Sequence, residues 1–271
     1  MSELALAVFA SETGTHLVRP PRGERWRAFE RRFDSRAYVE RLATAGHRFL
    51  PRSSPDFPPL LGAIHDPPAG LFLRGGAKPE ILSRPAVAIV GARACSGYGA
   101  SVGRSLGREL AAAGLVVVSG LARGIDAEAH RGALEAGGAT VAVLGCGIDR
   151  DYPAAHAELA GRVADAGLIV SEYAPGVEPA PWRFPARNRL VAGLSAATVV
   201  VEARERSGAL ITADLALEEG REVFAVPGEI TRLVSPLFSG RPGAAAAGRR
   251  RRLSGRSRRR VAQSRTHRTR W

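Results

Sequence analysis

A chain of 271 residues, 45% of them hydrophobic, has enough apolar material for one large domain and a small one. The net charge of +13 is unevenly placed: residues 241–271 hold twelve Arg and no acid, so the preceding 240 carry only +1 and any anion site among them must be a local patch. Two cysteines, Cys95 and Cys146, exclude a disulfide framework or a zinc ribbon, and the lack of a signal peptide or long apolar span points to a cytoplasmic protein with small buried thiols and no membrane partner.

Residues 1–83 read as an N-terminal lead-in, with helical pieces near 24–45 and an extended stretch over 55–75 punctuated by Pro58, Pro59, Pro67 and Pro68. No chemistry is legible there. Residues 84–235 alternate apolar runs with helical stretches. The runs at 87–90, 115–118, 140–144, 168–170, 198–201 and 222–226 are short and continuous, which suits strands buried on both faces of a parallel sheet. Helices near 97–113, 124–137, 154–165, 186–195 and 209–219 supply the crossovers. The expected fold class is α/β: a doubly wound, mostly parallel Rossmann-like sheet. Residues 236–271, with Arg249 to Arg252 and Arg258 to Arg260, show no apolar periodicity and read as a disordered basic tail.

Ligands of such sheets bind at the carboxyl ends of the strands. The first of these ends, Gly91-Ala92-Arg93 with Ser96 and Gly97, opens a helix with small residues and one cation. It suits a phosphate, and a tight turn with a solvated Arg is the alternative. The glycine spacing fits neither a dinucleotide fingerprint nor a P-loop. The second end carries Ser119 and Arg123, with Asp126 placed to cap the next helix and His130 expected to be structural. The third carries Arg150 and Tyr152, in a loop that closes over the crevice; Tyr152 either stacks on a base or anchors the loop. Ser171-Glu172-Tyr173 reads as a structural turn. Phe184-Pro185-Ala186-Arg187-Asn188-Arg189 puts two arginines and an amide in the first turn of a helix, where free N–H groups already favour an anion. Ser207 to Thr212 open another helix and make a second phosphate cradle.

This ordered series, closed by Phe224-Ala225-Val226-Pro227-Gly228, resembles the DNA-processing protein A (DprA, also called Smf) family over about residues 55–240. The resemblance implies a Rossmann-like fold, sequence-independent binding of single-stranded DNA, loading of the RecA recombinase onto incoming DNA in natural transformation, a homodimer, and no established enzymatic activity. By position, Arg93 matches the arginine of the family's Gly-Ser-Arg loop, with Ala92 replacing the serine. Ala154 stands where some relatives carry a basic residue, for which Arg150 substitutes. After Pro236 the pattern departs from the Gly-Thr-Asn helix that helps build the family's dimer contact. That departure leaves two alternatives open, a frame-shift in a GC-rich gene or a genuine basic arm, and puts the dimer in doubt. The N-terminal segment lacks a clear helix–hairpin–helix domain.

The expected strand-binding residues are Gly91, Arg93, Ser96, Gly97, Ser119, Arg123, Arg150, Tyr152, Arg187, Asn188, Arg189, Ser207 and Thr212, with no catalytic residue, metal or cofactor. The competing reading is a nucleotide-processing enzyme of N-glycosidase type, for which Glu172 and Glu202 are the candidate carboxylates.

Overall fold

The computed structural model describes residues 2–205 and 207–228. The Arg-rich tail read from 236–271 lies outside these residues. Each continuous apolar run forms a parallel strand: β3 (Ala86–Val90), β4 (Val116–Ser119), β5 (Thr140–Val143), β6 (Leu168–Ser171), β7 (Ala197–Val200) and β8 (Glu222–Ala225). The physical reason is visible in alternate residues. Val141 and Val143 point into one apolar core, Ala142 and Leu144 into the other, and all four are buried. A strand enclosed on both faces has no polar alternation to offer.

The crossovers are helices α5 (Gly97–Ala112), α6 (Ile125–Glu135), α7 (Ala157–Ala166), α8 (Arg183–Gly193) and α9 (Gly208–Glu218). The eight-stranded sheet runs β1-β2-β6-β5-β4-β3-β7-β8. The chain therefore builds outward from β3 in one direction through β6, then returns to the other side of β3 for β7 and β8. This is the doubly wound, mostly parallel sheet expected.

Two strands and two helices were not legible in the sequence, one of the helices being the short α4 (Pro59–Gly62) within the stretch expected to be extended. β1 (His47–Pro51) and β2 (Gly70–Arg74) come from the lead-in and extend the sheet antiparallel beside β6, with Phe72 opposite Ser171 and Arg74 opposite Ile169. The sheet thus continues across residue 83. α1 (Glu3–Thr13) precedes α2 (Glu24–Arg32) and α3 (Ser35–Thr44). Every residue from Leu4 to Phe9 is buried, so α1 shows no amphipathic stripe. Cys146 is buried as expected, whereas Cys95 is only half-buried, on the loop that leaves β3.

α5 and α6 meet through glycines. A Cβ at Gly107 would lie 2.2 Å from the Ala129 carbonyl oxygen, and one at Gly132 would lie 2.0 Å from that of Arg104. Both obstacles are backbone, so neither can turn aside. Gly107→Ala should therefore lower stability by about 1–3 kcal/mol, the usual range for overpacking. A urea titration followed by circular dichroism checks this, with an unchanged midpoint as the contrary result.

Candidate nucleic-acid interface

The strand order reverses between β3 and β7, so the loops leaving these two strands diverge and a crevice opens at their carboxyl ends. A cleft of about 640 Å³ lies there, joined to one of about 480 Å³ through shared walls that include Arg93, Gly120, Tyr152, Phe184 and Arg187. Asp126 is the one carboxylate among the described residues lining either, against Arg93, Arg123, Arg187 and Arg204.

The β3–α5 loop lies close against α6, because a Cβ at Gly91 would come within 2.5 Å of Ile125. From that loop the exposed Arg93 places its guanidinium 5.4 Å from the centre of the Phe184 ring. Phe184 in turn stacks on Tyr152, with centroids 5.2 Å apart and planes at 23°. Tyr152 is 41% exposed, so it is not a buried anchor of its loop. The result is a cation and two aromatic rings in sequence along one wall.

Arg187 forms the floor. It is 4% exposed, and its Nη1 donates to the carbonyls of Gly120, at 2.8 Å, and Val143. A Cβ at Gly120 would meet Nη1 at 2.4 Å, so a larger residue there would have to displace the guanidinium. Burial lowers the Arg187 pKa and neighbouring Asp126 opposes that shift. Asp126 does not cap α6: Gly124 occupies the cap position, and the Asp126 carboxylate accepts from the N–H groups of Gly120 (3.1 Å) and Ala122 (3.4 Å). It braces the turn that carries Arg123. Burial pushes its pKa up, against Arg187 and those N–H donors.

On the far side, Asn188 donates from Nδ2 to the Gly208 carbonyl at 3.1 Å, tying α8 to α9, and both residues line the larger cleft. Ser207 and Thr212 line it too. Thr212 Oγ1 donates to Gly208, while Ser207 Oγ, at the head of α9, has no partner among the described residues. Two lining residues were missed by sequence reasoning. Arg204 follows the β7 strand end and is exposed. Phe184 was read as part of a helix start; its signal was an aromatic directly before Pro185.

The remaining expected residues are placed elsewhere. Ser96 caps α5, accepting from Gly99 N–H at 3.0 Å and donating to Glu202 at 2.8 Å, with Gly97 just beyond it. Ser119 is buried and donates to the Ile89 carbonyl at 2.6 Å. Arg150 pairs with Glu178 at 2.6 Å and lines neither cleft. Arg189 turns to the opposite side of α8, where it pairs with Glu172 and Asp66 and meets His16. Both carboxylates considered for catalysis are thereby engaged, Glu202 by Ser96 and Glu172 by Arg189. Ser171 builds the turn expected of it, donating to the Cys146 carbonyl at 2.6 Å.

The family model for DNA recombination-mediator protein A matches residues 48–238. The chain belongs to this family. Among curated DprA/Smf members, it is 48% identical to the DNA processing protein DprA of Streptococcus pneumoniae over 178 residues, which is 64% of this chain and 61% of that one. It is 45% identical to protein Smf of Escherichia coli over 190 residues, 70% of this chain and 50% of the relative. The chain therefore spans between half and about three-fifths of the length of these relatives. The X-ray structure of S. pneumoniae DprA superposes with a TM-score of 0.72 at 35% identity, covering 87% of this chain and 85% of the other. DprA from Helicobacter pylori, whose structure addresses its single-stranded DNA binding mode, superposes with a TM-score of 0.62 at 33% identity, covering 69% and 83%. The DprA-type Rossmann-like fold is thus established for this chain.

Beneath the crevice His130 is fully buried, with Nδ1 2.7 Å from Thr140 Oγ1. Burial pushes its pKa down to about 3, helped by Arg187 and His156. The folded protein holds it neutral, while the unfolded chain takes up a proton near pH 6.5. Stability should therefore fall as pH drops from about 6.5 towards 3, by at most about 1.4 kcal/mol per pH unit from this residue. His130→Asn should flatten that part of the stability–pH curve; a curve of unchanged slope between pH 6 and 4 would contradict the assignment.

Proposed function

We propose that this protein binds single-stranded DNA without sequence preference in the crevice between β3 and β7. The arrangement of Arg93, Phe184 and Tyr152 above the buried cation of Arg187 carries the reading. Phosphates are drawn by the arginines and by the amide-rich loop and helix starts, and bases stack on rings that do not distinguish one base from another. Among the described residues lining the clefts, no forked array of side chains is aimed at base edges, as sequence-specific readout would need. The H. pylori relative, with its single-strand binding mode, supports the same reading.

On family grounds the protein delivers the bound strand to the RecA recombinase during natural transformation, in the cytoplasm and as a homodimer. Among the described residues no helix is long and apolar enough to cross a membrane. The protein acts as a binder and loader, not an enzyme: Glu172 and Glu202 are both held by other partners, and neither lines the clefts.

Charge and stacking separate by mutation. Arg93→Ala should weaken binding to an oligothymidine by about 1–3 kcal/mol and reduce the magnitude of the log–log salt slope by about 0.7. Phe184→Ala should weaken it by about 1–3 kcal/mol with the slope unchanged. Fluorescence anisotropy titrations at several salt concentrations measure both. Variants that bind like the wild type would remove the crevice from the function.

A further inference from the structure

We propose that Arg189, His16, Asp66 and Glu172 form a positioning cluster through which the N-terminal segment sets the α8 side of the strand-binding crevice. The proposal rests on the strand-binding reading above. It assigns Arg189 a role away from the strand, and it brings in His16, which precedes the residues matched by the family model.

The geometry is a closed set of contacts. Arg189 Nη2 donates to Glu172 and lies 2.9 Å from His16 Nδ1, while its Nε is 3.3 Å from Asp66. His16 Nε2 is 3.2 Å from the same Asp66 oxygen, and His16 Nδ1 is 3.4 Å from Glu172. Burial pushes the Glu172 carboxyl up, but Arg189 and His16 outweigh it and the net shift is downward, so Glu172 is held as the anion. A second tie lies beside it: Ser11 Oγ, on α1, accepts from the Ala174 N–H at 2.9 Å. The loop that leads from β6 into α8 is thus fastened to the N-terminal segment at two points, just before the chain reaches Phe184.

Residues two apart on an α-helix project about 200° from one another. Arg187 is bonded to strand-end carbonyls on one side of α8, and Arg189 to the cluster on the other. Together they fix the rotation of α8 about its axis, and with it the placement of Phe184 and Asn188. Buried ion clusters contribute little net stability compared with apolar packing, and fixing one arrangement over its neighbours is their best-attested use. Such a device suits a helix that must present one ring to a strand.

The test compares Asp66→Asn and His16→Gln with the wild-type full chain, using oligothymidine anisotropy. Both side chains are about one-third exposed (35% and 36%), so their replacement leaves the core intact. Binding is measured at a temperature where circular dichroism shows each variant fully folded. A merely structural role would then lower Tm and leave Kd alone. The expected result is a Kd raised about 2- to 30-fold, the range in which residues remote from a ligand modulate its site. The salt slope should stay at the wild-type value, since no phosphate contact is lost, and the double variant should be little worse than the weaker single. If either variant fails to fold, Arg189→Lys, which keeps the charge and loses the fork, should give the same rise in Kd. Wild-type Kd in the folded variants would overturn the proposal. So would a slope reduced by about 0.7, because the cluster would then touch the strand directly. A wild-type chain with no salt-dependent binding at all would instead sink the strand-binding reading, and this proposal with it.

Discussion

The crevice depends on one buried guanidinium. Arg187 reaches under the strand ends and bonds the carbonyls of Gly120 and Val143, so two neighbouring loops are held by one side chain. Both carbonyls are buried, one at the last residue of β5 and the other just past the end of β4. A cation beneath them satisfies acceptors that would otherwise be orphaned in a dry place. Asp126 balances that charge while accepting from the N–H groups of the neighbouring turn. The loop geometry and the electrostatics of the cleft therefore have one origin.

That origin explains why the walls are made of small residues. At Gly120 a Cβ would strike Arg187, and at Gly124, with φ of 76°, one would lie 2.1 Å from the Ala92 carbonyl. The second case adds backbone conformation to crowding, since a positive φ is strained for any residue with a side chain. The glycines at the strand ends thus let backbone approach backbone around Arg187, and the buried Gly120 amide is taken by Asp126.

Much of this was legible in the sequence, and the limits are physical. The parallel strands announce themselves because burial on both faces demands unbroken apolar runs, and their ends collect Gly, Ser and Arg where packing would not ask for them. The crevice residues Arg93, Tyr152, Arg187 and Asn188 follow from that. β1 and β2 were hidden because each lies among prolines and loops of the lead-in. α1 was hidden because a helix buried from Leu4 to Phe9 has no polar face to reveal its period. Ser96 and Ser119 were read as ligand contacts, but a hydroxyl at a strand end is as useful to the backbone as to a phosphate, and in both the backbone or Glu202 takes it.

The pair Arg187 and Arg189 shows where reading by motif reaches its limit. Both arginines lie in one short run, and treated as a string they suggest a single anion clamp. A helix does not permit that, since side chains at i and i+2 do not face each other. One must look into the crevice and the other away from it. Which one looks inward is decided by what lies on the other side, and here that is Glu172, Asp66 and a histidine more than 170 residues earlier in the chain. Such partners are brought together by β2 lying antiparallel beside β6, a pairing that no local pattern around either arginine encodes. Division of labour within the motif is thus a property of the sheet's extension by the N-terminal segment, and the strand-binding face and the buried cluster are two sides of the same helix.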